Sequence, residues 1–169
     1  MRNKIKSSVY YPLINRYMKE LISQLKEEVL AITLFGSVAR NTARKDSDID
    51  ILLLLSKKDK KIHDKIIEID ISSYDWEENQ ILRKKGYSTK IYDIEKTEGE
   101  LRNNPLILLD ILDHGIVLYD PYKKMRHLLH DFKNKLKELG TKKIVFSDGK
   151  WCWDLKPDWK PGEIVEIKL

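Results

Sequence analysis

The sequence contains little that could form a covalent framework or a membrane anchor. It has one cysteine, Cys152, which excludes an internal disulfide framework and makes a reducing cytoplasm the expected setting. No apolar run approaches the roughly 20 residues that span a bilayer, and residues 1–6 are not followed by the apolar segment of a secretory signal. We therefore expect no contact with a membrane.

Positive charge is in slight excess, but it is not concentrated in one place. Lys and Arg number 32 against 27 Asp and Glu, which gives a formal net charge of +5. The lysines alternate with acidic residues, as in segments 56–61 and 133–138, and this mixture is typical of a solvated surface. With 169 residues, the chain is long enough for one domain with a real core.

Two short apolar runs enclose the most informative part of the chain. Val29–Phe35 is rich in β-branched and aromatic residues and stops at Gly36, so it predicts a buried strand. A polar linker then leads to a second run, 49–55. Because side chains alternate along a strand, Asp48 and Asp50 are predicted to point to the same side.

These residue types together indicate a phosphate and metal site. Two carboxylates so close repel each other unless a cation lies between them, and carboxylate oxygens are the ligands that magnesium prefers. Gly36 allows a positive φ or a close approach to a ligand, and Ser37 can donate hydrogen bonds to phosphate oxygens. Arg40 and Arg44 carry guanidinium groups that bind phosphate bidentately.

Residues 36–40 (Gly-Ser-Val-Ala-Arg), followed by 47–51 (Ser-Asp-Ile-Asp-Ile), resemble the signature of the polymerase-β-like nucleotidyltransferases, in particular the minimal nucleotidyltransferases. The carboxyl-terminal part is similar to that of a subset of archaeal members. The resemblance implies transfer of a nucleoside monophosphate from a triphosphate. It places Gly36 and Ser37 on the triphosphate and Asp48 and Asp50 on two Mg²⁺ ions, for which Mn²⁺ can substitute. Members commonly have glycine where this chain has Asn41, a residue that tolerates the left-handed conformation.

The family pattern also requires a third carboxylate from a later strand, which helps to hold the catalytic metal. Asp93 is the predicted residue, with Glu95 on the same face of its strand. Asp70 is the alternative if its segment is a strand instead of a helix. Lys90 occupies a position where an acid is expected in relatives, which leaves reduced or lost activity open.

The remaining pattern predicts an α+β protein with a mixed β-sheet and packed helices. The domain is expected over residues 1–120, and a helix, a hairpin and a Trp-rich tail over 121–169 are expected to pack on it. Helical spacing indicates a helix over 13–25, one or two helices over 57–85, and further helices over 105–113 and 122–139. Strands are predicted over 87–95 and 116–119, and a hairpin turns at 147–149.

Three functions remain open from the sequence. The first is an active nucleotidyltransferase that moves AMP from ATP to a hydroxyl acceptor, and the resemblance favours an antitoxin that adenylylates a HEPN-type ribonuclease toxin. The second is a catalytically weak nucleotide-binding partner subunit. The third is a nucleic-acid-binding module that uses the basic balance and the tryptophans. An apolar tail or an edge strand could also form a homodimer.

Overall fold

A central four-stranded mixed sheet organises the protein in the computed structural model, which describes residues 5–149 and 151–169. The strand order is β3-β2-β1-β4. Strand β1 pairs antiparallel with both β2 and β4, whereas β2 and β3 are parallel. The strands of this sheet are β1 Val29–Phe35, β2 Ile49–Leu55, β3 Ile91–Thr97 and β4 Ile116–Tyr119.

Helices connect and cover these strands. They are α1 Tyr11–Leu25, α2 Gly36–Arg40, α3 Lys60–Ser73, α4 Glu77–Lys84, α5 Glu98–Asn103, α6 Leu108–His114 and α7 Lys124–Glu138. Side chains of neighbouring residues cap several of them. Asp59 accepts a hydrogen bond from the Ile62 N–H at the start of α3, and Thr97 and Glu100 form a capping box at α5.

One face of the sheet is covered by α1, α3 and α4. Odd-numbered residues of β2, such as Ile51 and Leu53, point into this core and have no exposed surface. They pack with the apolar stripe of α1, which includes Tyr17. This layer accounts for the helical spacing of apolar residues in segment 13–25.

The opposite face is covered by α5, α6 and α7. The even-numbered residues Leu52 and Leu54 point into this second core, together with Ala31 of β1. Their helical partners include Leu108 of α6 and Phe132 of α7, both fully buried. Because α6 lies on this side, any polar group on its inner surface faces the even-numbered residues of β2.

The carboxyl-terminal residues form a small hairpin and a tail that lie on the domain. Strands β5 Lys142–Val145 and β6 Trp151–Asp154 pair antiparallel, and Lys143 forms an ion pair with Asp113 of α6. In the tail, Ile167 and Leu169 pack against the second core. The tryptophan-rich extension is thus attached to the α6 side of the sheet.

The predicted α+β class and mixed sheet are confirmed. Segment 57–85 forms two helices, and the predicted helix over 105–113 begins with a 3-10 turn at Pro105–Ile107. Strand β3 begins four residues later than expected, because residues 87–90 form a loop. Lys150, predicted in the hairpin, lies outside the described residues, as do residues 1–4.

The domain boundary expected after residue 120 falls between β4 and α7 and stays a prediction. No helix among residues 5–149 and 151–169 has both the length and the apolar character needed to cross a membrane.

Candidate active site

The site is built on a tight turn at the end of β1. Gly36 has φ +67° and begins α2, which ends at Asn41 with φ 60° and ψ 35°. The N–H of Asn41 donates to the carbonyls of Ser37 and Val38. Asparagine therefore holds the left-handed position, as expected from its tolerance of this conformation.

Glycine at position 36 is required by contact as well as by backbone conformation. Phe35 pairs with Asp50 across β1 and β2, which brings the turn directly over the Asp50 carboxylate. A β-carbon at position 36 would lie 1.9 Å from Asp50 Oδ2 and 2.8 Å from its Cγ. The absence of a side chain at Gly36 thus creates the space that the Asp50 carboxylate occupies.

Asp48 lies just before β2 and Asp50 is the second residue of this strand. Both lie on the α6 side of the sheet. Burial and the negative charge of Asp48 raise the pKa of Asp50, and the nearby Arg40 charge opposes this shift. Asp48 is more exposed. Its carboxylate accepts weak hydrogen bonds from Ser88 Oγ and Lys90 Nζ, both at 3.4 Å. Burial is the larger cause of the raised pKa of Asp50, and the Asp48 charge adds to it.

A hard divalent cation fits these donors. Asp48 and Asp50 offer carboxylate oxygens without sulfur or imidazole ligands, which suits Mg²⁺ or Mn²⁺. Within the described part of the chain, no three His, Cys, Asp or Glu side chains are arranged to hold a metal. Magnesium commonly keeps several waters and uses one or two carboxylates with substrate phosphates, so the pair is sufficient for such a site.

Asp110 of α6 is a site residue that the sequence patterns did not identify. Its Oδ2 accepts a hydrogen bond from the Gly36 N–H at 3.1 Å, and its Oδ1 accepts one from Arg40 Nη1 at 2.7 Å. Asp110 also contributes to the raised pKa of Asp50 through its charge. The available signal was a single acid inside the apolar run 106–112, since an acid in such a run needs a polar partner.

The predicted phosphate-binding residues divide into two groups. Gly36, Ser37 and Arg40 all belong to α2, and Gly36 and Arg40 lie close to the Asp50 carboxylate. Arg44 lies in the exposed linker, where its backbone carbonyl accepts a hydrogen bond from the Tyr10 hydroxyl at 3.1 Å. Arg40 is thus the arginine that the Asp110 contact fixes at the site.

The structure does not bring Asp93 to this site. Asp93 is paired in register with Ile51, whereas Asp50 is paired with Tyr92. Directly opposed residues share a face, so Asp93 points to the α1 and α3 side, across the sheet from Asp50. This placement corrects the prediction that Asp93 supplies the third carboxylate. Lys90, in the loop just before β3, lies opposite Asp48, and Tyr92 of β3 lies opposite Asp50.

Asp93 belongs instead to a second cluster of acids. Asp70 lies in helix α3, not in a strand, so the condition for its catalytic role is not met. It accepts a hydrogen bond from the Tyr17 hydroxyl at 2.5 Å and shares a hydrogen bond with Asp93. Burial raises the pKa of Asp70 to about 7, and the charges of Asp93 and Glu95 act in the same direction. The pair of Asp70 and Asp93 therefore keeps a proton to a higher pH than free carboxyl groups do.

This cluster makes stability depend on pH. Since the pKa of Asp70 is raised from 3.8 to about 7, the folded state retains a proton that the unfolded chain has lost in this range. The contribution of Asp70 to the free energy of unfolding is thus expected to be greatest below pH 3.8 and to fall as the pH rises to about 7. Asp70→Asn retains both hydrogen bonds without the charge. It should reduce this slope, with Asp93 still contributing because burial also raises its pKa, and add about 1 kcal/mol at neutral pH, allowing for partial solvent exposure.

The measurement is urea unfolding across this pH range. Asp64→Asn is the matched control, because Asp64 lies on the same helix and forms an exposed ion pair with Lys60. It should leave the slope as in the wild type. An unchanged slope in Asp70→Asn would contradict the assignment.

The fold and the site define a domain that combines a mixed sheet with two carboxylates at a glycine turn, as in enzymes that transfer nucleotides. The model of the nucleotidyltransferase domain family matches residues 14–156. The chain therefore belongs to this family, which confirms the resemblance to the polymerase-β-like nucleotidyltransferases. None of the proteins with curated functions matches the sequence.

Solved structures of toxin–antitoxin complexes have a similar fold. A mutant form of the toxin–antitoxin MntA–HpeT matches with a TM-score of 0.50 and 16% identity, over 74% of this chain and 87% of that chain. A toxin–antitoxin crystal structure with AMP-PNP matches with a TM-score of 0.49 and 17% identity, over 73% and 87% of the two chains. A complex of a tri-AMPylated Shewanella oneidensis HEPN toxin with an MNT antitoxin gives 0.46 and 16%, over 75% and 86%. At 16% identity, the match with a TM-score of 0.50 shows a likeness of fold alone.

Proposed function

We propose that this protein is a Mg²⁺-dependent nucleotidyltransferase that transfers AMP from ATP to a hydroxyl group of a protein partner. The observation that carries the proposal is the contact between the Gly36 turn and the Asp50 carboxylate, with Asp48 on the same face. It puts phosphate-binding donors and metal-binding oxygens within one short unit. Such proximity is what phosphoryl-type transfer needs from a protein.

Different residues of the site would bind the metal and the triphosphate. Asp48 and Asp50 would hold the metal, which would neutralise the phosphates and align the reacting oxygens. The Gly36 N–H, Ser37 and Arg40 would bind triphosphate oxygens. In the overall reaction, the acceptor oxygen bonds to the α-phosphorus, pyrophosphate leaves, and the hydroxyl proton is released to solvent.

The identity of the acceptor rests on the resemblance to minimal nucleotidyltransferases. Antitoxins of this kind adenylylate a partner HEPN ribonuclease, and the toxin–antitoxin MntA–HpeT is among the structures with a similar fold. We therefore take a HEPN-type toxin as the proposed partner. ATP is the proposed donor, although the site offers no feature that ranks the four nucleotide bases.

A catalytically weak partner subunit is the second candidate, and strand β3 favours it. Opposite Asp48 and Asp50, this strand and the loop before it present Lys90 and Tyr92 instead of an acid. The Lys90 ammonium lies 3.4 Å from Asp48 Oδ2, so it already neutralises part of the charge that would attract a cation. A subunit of this kind would bind the toxin and the nucleotide without transfer.

The test is a labelling reaction with the purified protein, Mg²⁺, α-labelled ATP and the product of a neighbouring gene, which the proposal expects to be a small helical ribonuclease. The proposal expects label on the ribonuclease and loss of its RNA-cleaving activity. Binding to the ribonuclease without label would support the partner-subunit candidate and contradict transfer. Binding to RNA that weakens steeply with salt, with neither of these, would favour the nucleic-acid-binding function.

A further inference from the structure

The carboxylate of Asp110 binds the groups that are proposed to hold the triphosphate. Both of its oxygens are used, one by the Gly36 N–H at 3.1 Å and the other by Arg40 Nη1 at 2.7 Å. A backbone N–H and a guanidinium group are also the donors that proteins use for phosphate oxygens. Asp110 thus presents to α2 the same chemistry as an anionic phosphate.

The Asp110 carboxylate and a phosphate oxygen cannot both accept a full hydrogen bond from the Gly36 N–H. This group has a single hydrogen to donate, and the 3.1 Å contact already assigns it to Asp110. In addition, Asp110 brings a third carboxylate to a site that contains Asp48 and Asp50, through its contacts with Gly36 and Arg40. A bound triphosphate would therefore meet both a competitor and a repelling charge at this position.

Solvent can reach the contact, so it can exchange without unfolding. The side chains of Arg40 and Asp110 are 31% and 25% exposed. Ion pairs with such exposure are weak enough for a multivalent anion to replace one partner. A change of side-chain rotamer at Asp110 would release both the Gly36 N–H and Arg40.

We propose that Asp110 is an internal competitor for the triphosphate: it holds the Gly36 N–H and Arg40 in the nucleotide-free protein and is displaced when the triphosphate binds. Asp110 thereby sets the affinity for the donor substrate and is a positioning residue. This inference rests on the proposed function, because it requires α2 to bind triphosphate. It predicts that the site binds its substrate less tightly than its donors allow.

Binding of inorganic triphosphate in the presence of EDTA tests the competition without any metal or turnover. Asp110→Asn is expected to bind triphosphate about fivefold more tightly than the wild type, since it removes one partly exposed ion pair. If Asp110 acts through Arg40, this gain should fall by at least half in an Arg40→Ala background. Calorimetric titration of the four proteins gives the double-mutant cycle.

Asp113→Asn is the matched control. Asp113 lies one turn further along α6 and pairs with Lys143 of the hairpin instead of α2. Its substitution should leave triphosphate binding unchanged. Thermal melting checks that each variant is folded, and Asp110→Ser is the second variant if Asp110→Asn is not.

The outcomes separate the inference from the proposed function. Unchanged or weaker binding by Asp110→Asn, together with wild-type transfer from MgATP, overturns the competition alone. An equal gain in both backgrounds also overturns it, because the effect would then be a general change of charge. If no variant binds triphosphate and the wild type transfers no label, both proposals fail.

Discussion

Gly36→Ala is expected to abolish nucleotide transfer and to destabilise the fold. The alanine β-carbon would lie 1.9 Å from Asp50 Oδ2, so either the turn or the carboxylate must move. The left-handed backbone adds about 1–2 kcal/mol of strain for a residue with a side chain, and the forced displacement adds about 1–3 kcal/mol. Because a misplacement of about 1 Å can cost about 100-fold in rate, transfer should fall at least that far.

Two other glycines separate the causes of this effect. Gly140 has φ +67°, but a β-carbon added there would have no atom within 4 Å, so Gly140→Ala measures the backbone strain alone. Gly99 in α5 has neither a positive φ nor a close neighbour, so Gly99→Ala should be neutral or slightly stabilising. Denaturant unfolding and the labelling reaction are measured for all three. The interpretation fails if Gly36→Ala retains the activity of Gly99→Ala.

Asp50→Asn is expected to reduce transfer strongly and Asp93→Asn to leave it nearly unchanged, although the two residues lie on adjacent strands. Asp50→Asn removes a negative charge from the proposed metal site while keeping nearly the same shape. The loss of a metal-holding carboxylate should reduce transfer about 1,000-fold, which corresponds to several kcal/mol of transition-state stabilisation. Asp93 lies across the sheet, so Asp93→Asn should keep transfer within about threefold.

The measurement is the rate of label transfer at saturating MgATP, with Mg²⁺ affinity followed separately by calorimetry. Asp50→Asn should also weaken Mg²⁺ binding, whereas Asp93→Asn should not. The chemical change is identical in both variants, so a difference between them reports the face on which each residue lies. Equal losses of activity would show that the two carboxylates belong to one site.

The local part of the site could be predicted from the sequence because its residues are close along the chain. Gly36, Ser37 and Arg40 share one helical turn, and Asp48 and Asp50 follow the alternation of one strand. Both patterns follow from the regular repeat of side-chain directions along a helix or a strand, which can be read from the sequence. Gly36 was expected to allow a positive φ or a close approach to a ligand, because glycine has no β-carbon. The steric contact with Asp50 was not, because it depends on how β1 and β2 pair.

The family pattern led to the assignment of Asp93 to the site. The assignment was wrong because the direction of a strand side chain depends on the register of the strand. Residues 87–95 read as one strand, but pairing with β2 begins at Ile91. A shift of one residue exchanges the two faces, and nothing in the segment fixes its alignment to β2. The sequence therefore identifies β3 approximately and leaves the direction of each of its side chains open.

Asp110 was missed because its contact spans the chain. It lies 74 residues from Gly36 and 70 from Arg40, and it reaches them only when α6 packs on the sheet. The surrounding run 106–112 predicts a buried helix, which gives no sign of what a single acid in it contacts. Tertiary packing alone supplies that information.

The sheet order has a consequence for which parts of the molecule can move. β1 and β2 are the inner strands, hydrogen-bonded on both sides, while β3 and β4 are edges. Inner strands open to hydrogen exchange most rarely, so we expect the backbone of Asp50 and of Phe35, which precedes the Gly36 turn, to belong to the most slowly exchanging unit of the fold. If the proposed triphosphate site is correct, we expect the adjustments on binding to occur in α6 and in the exposed linker before β2.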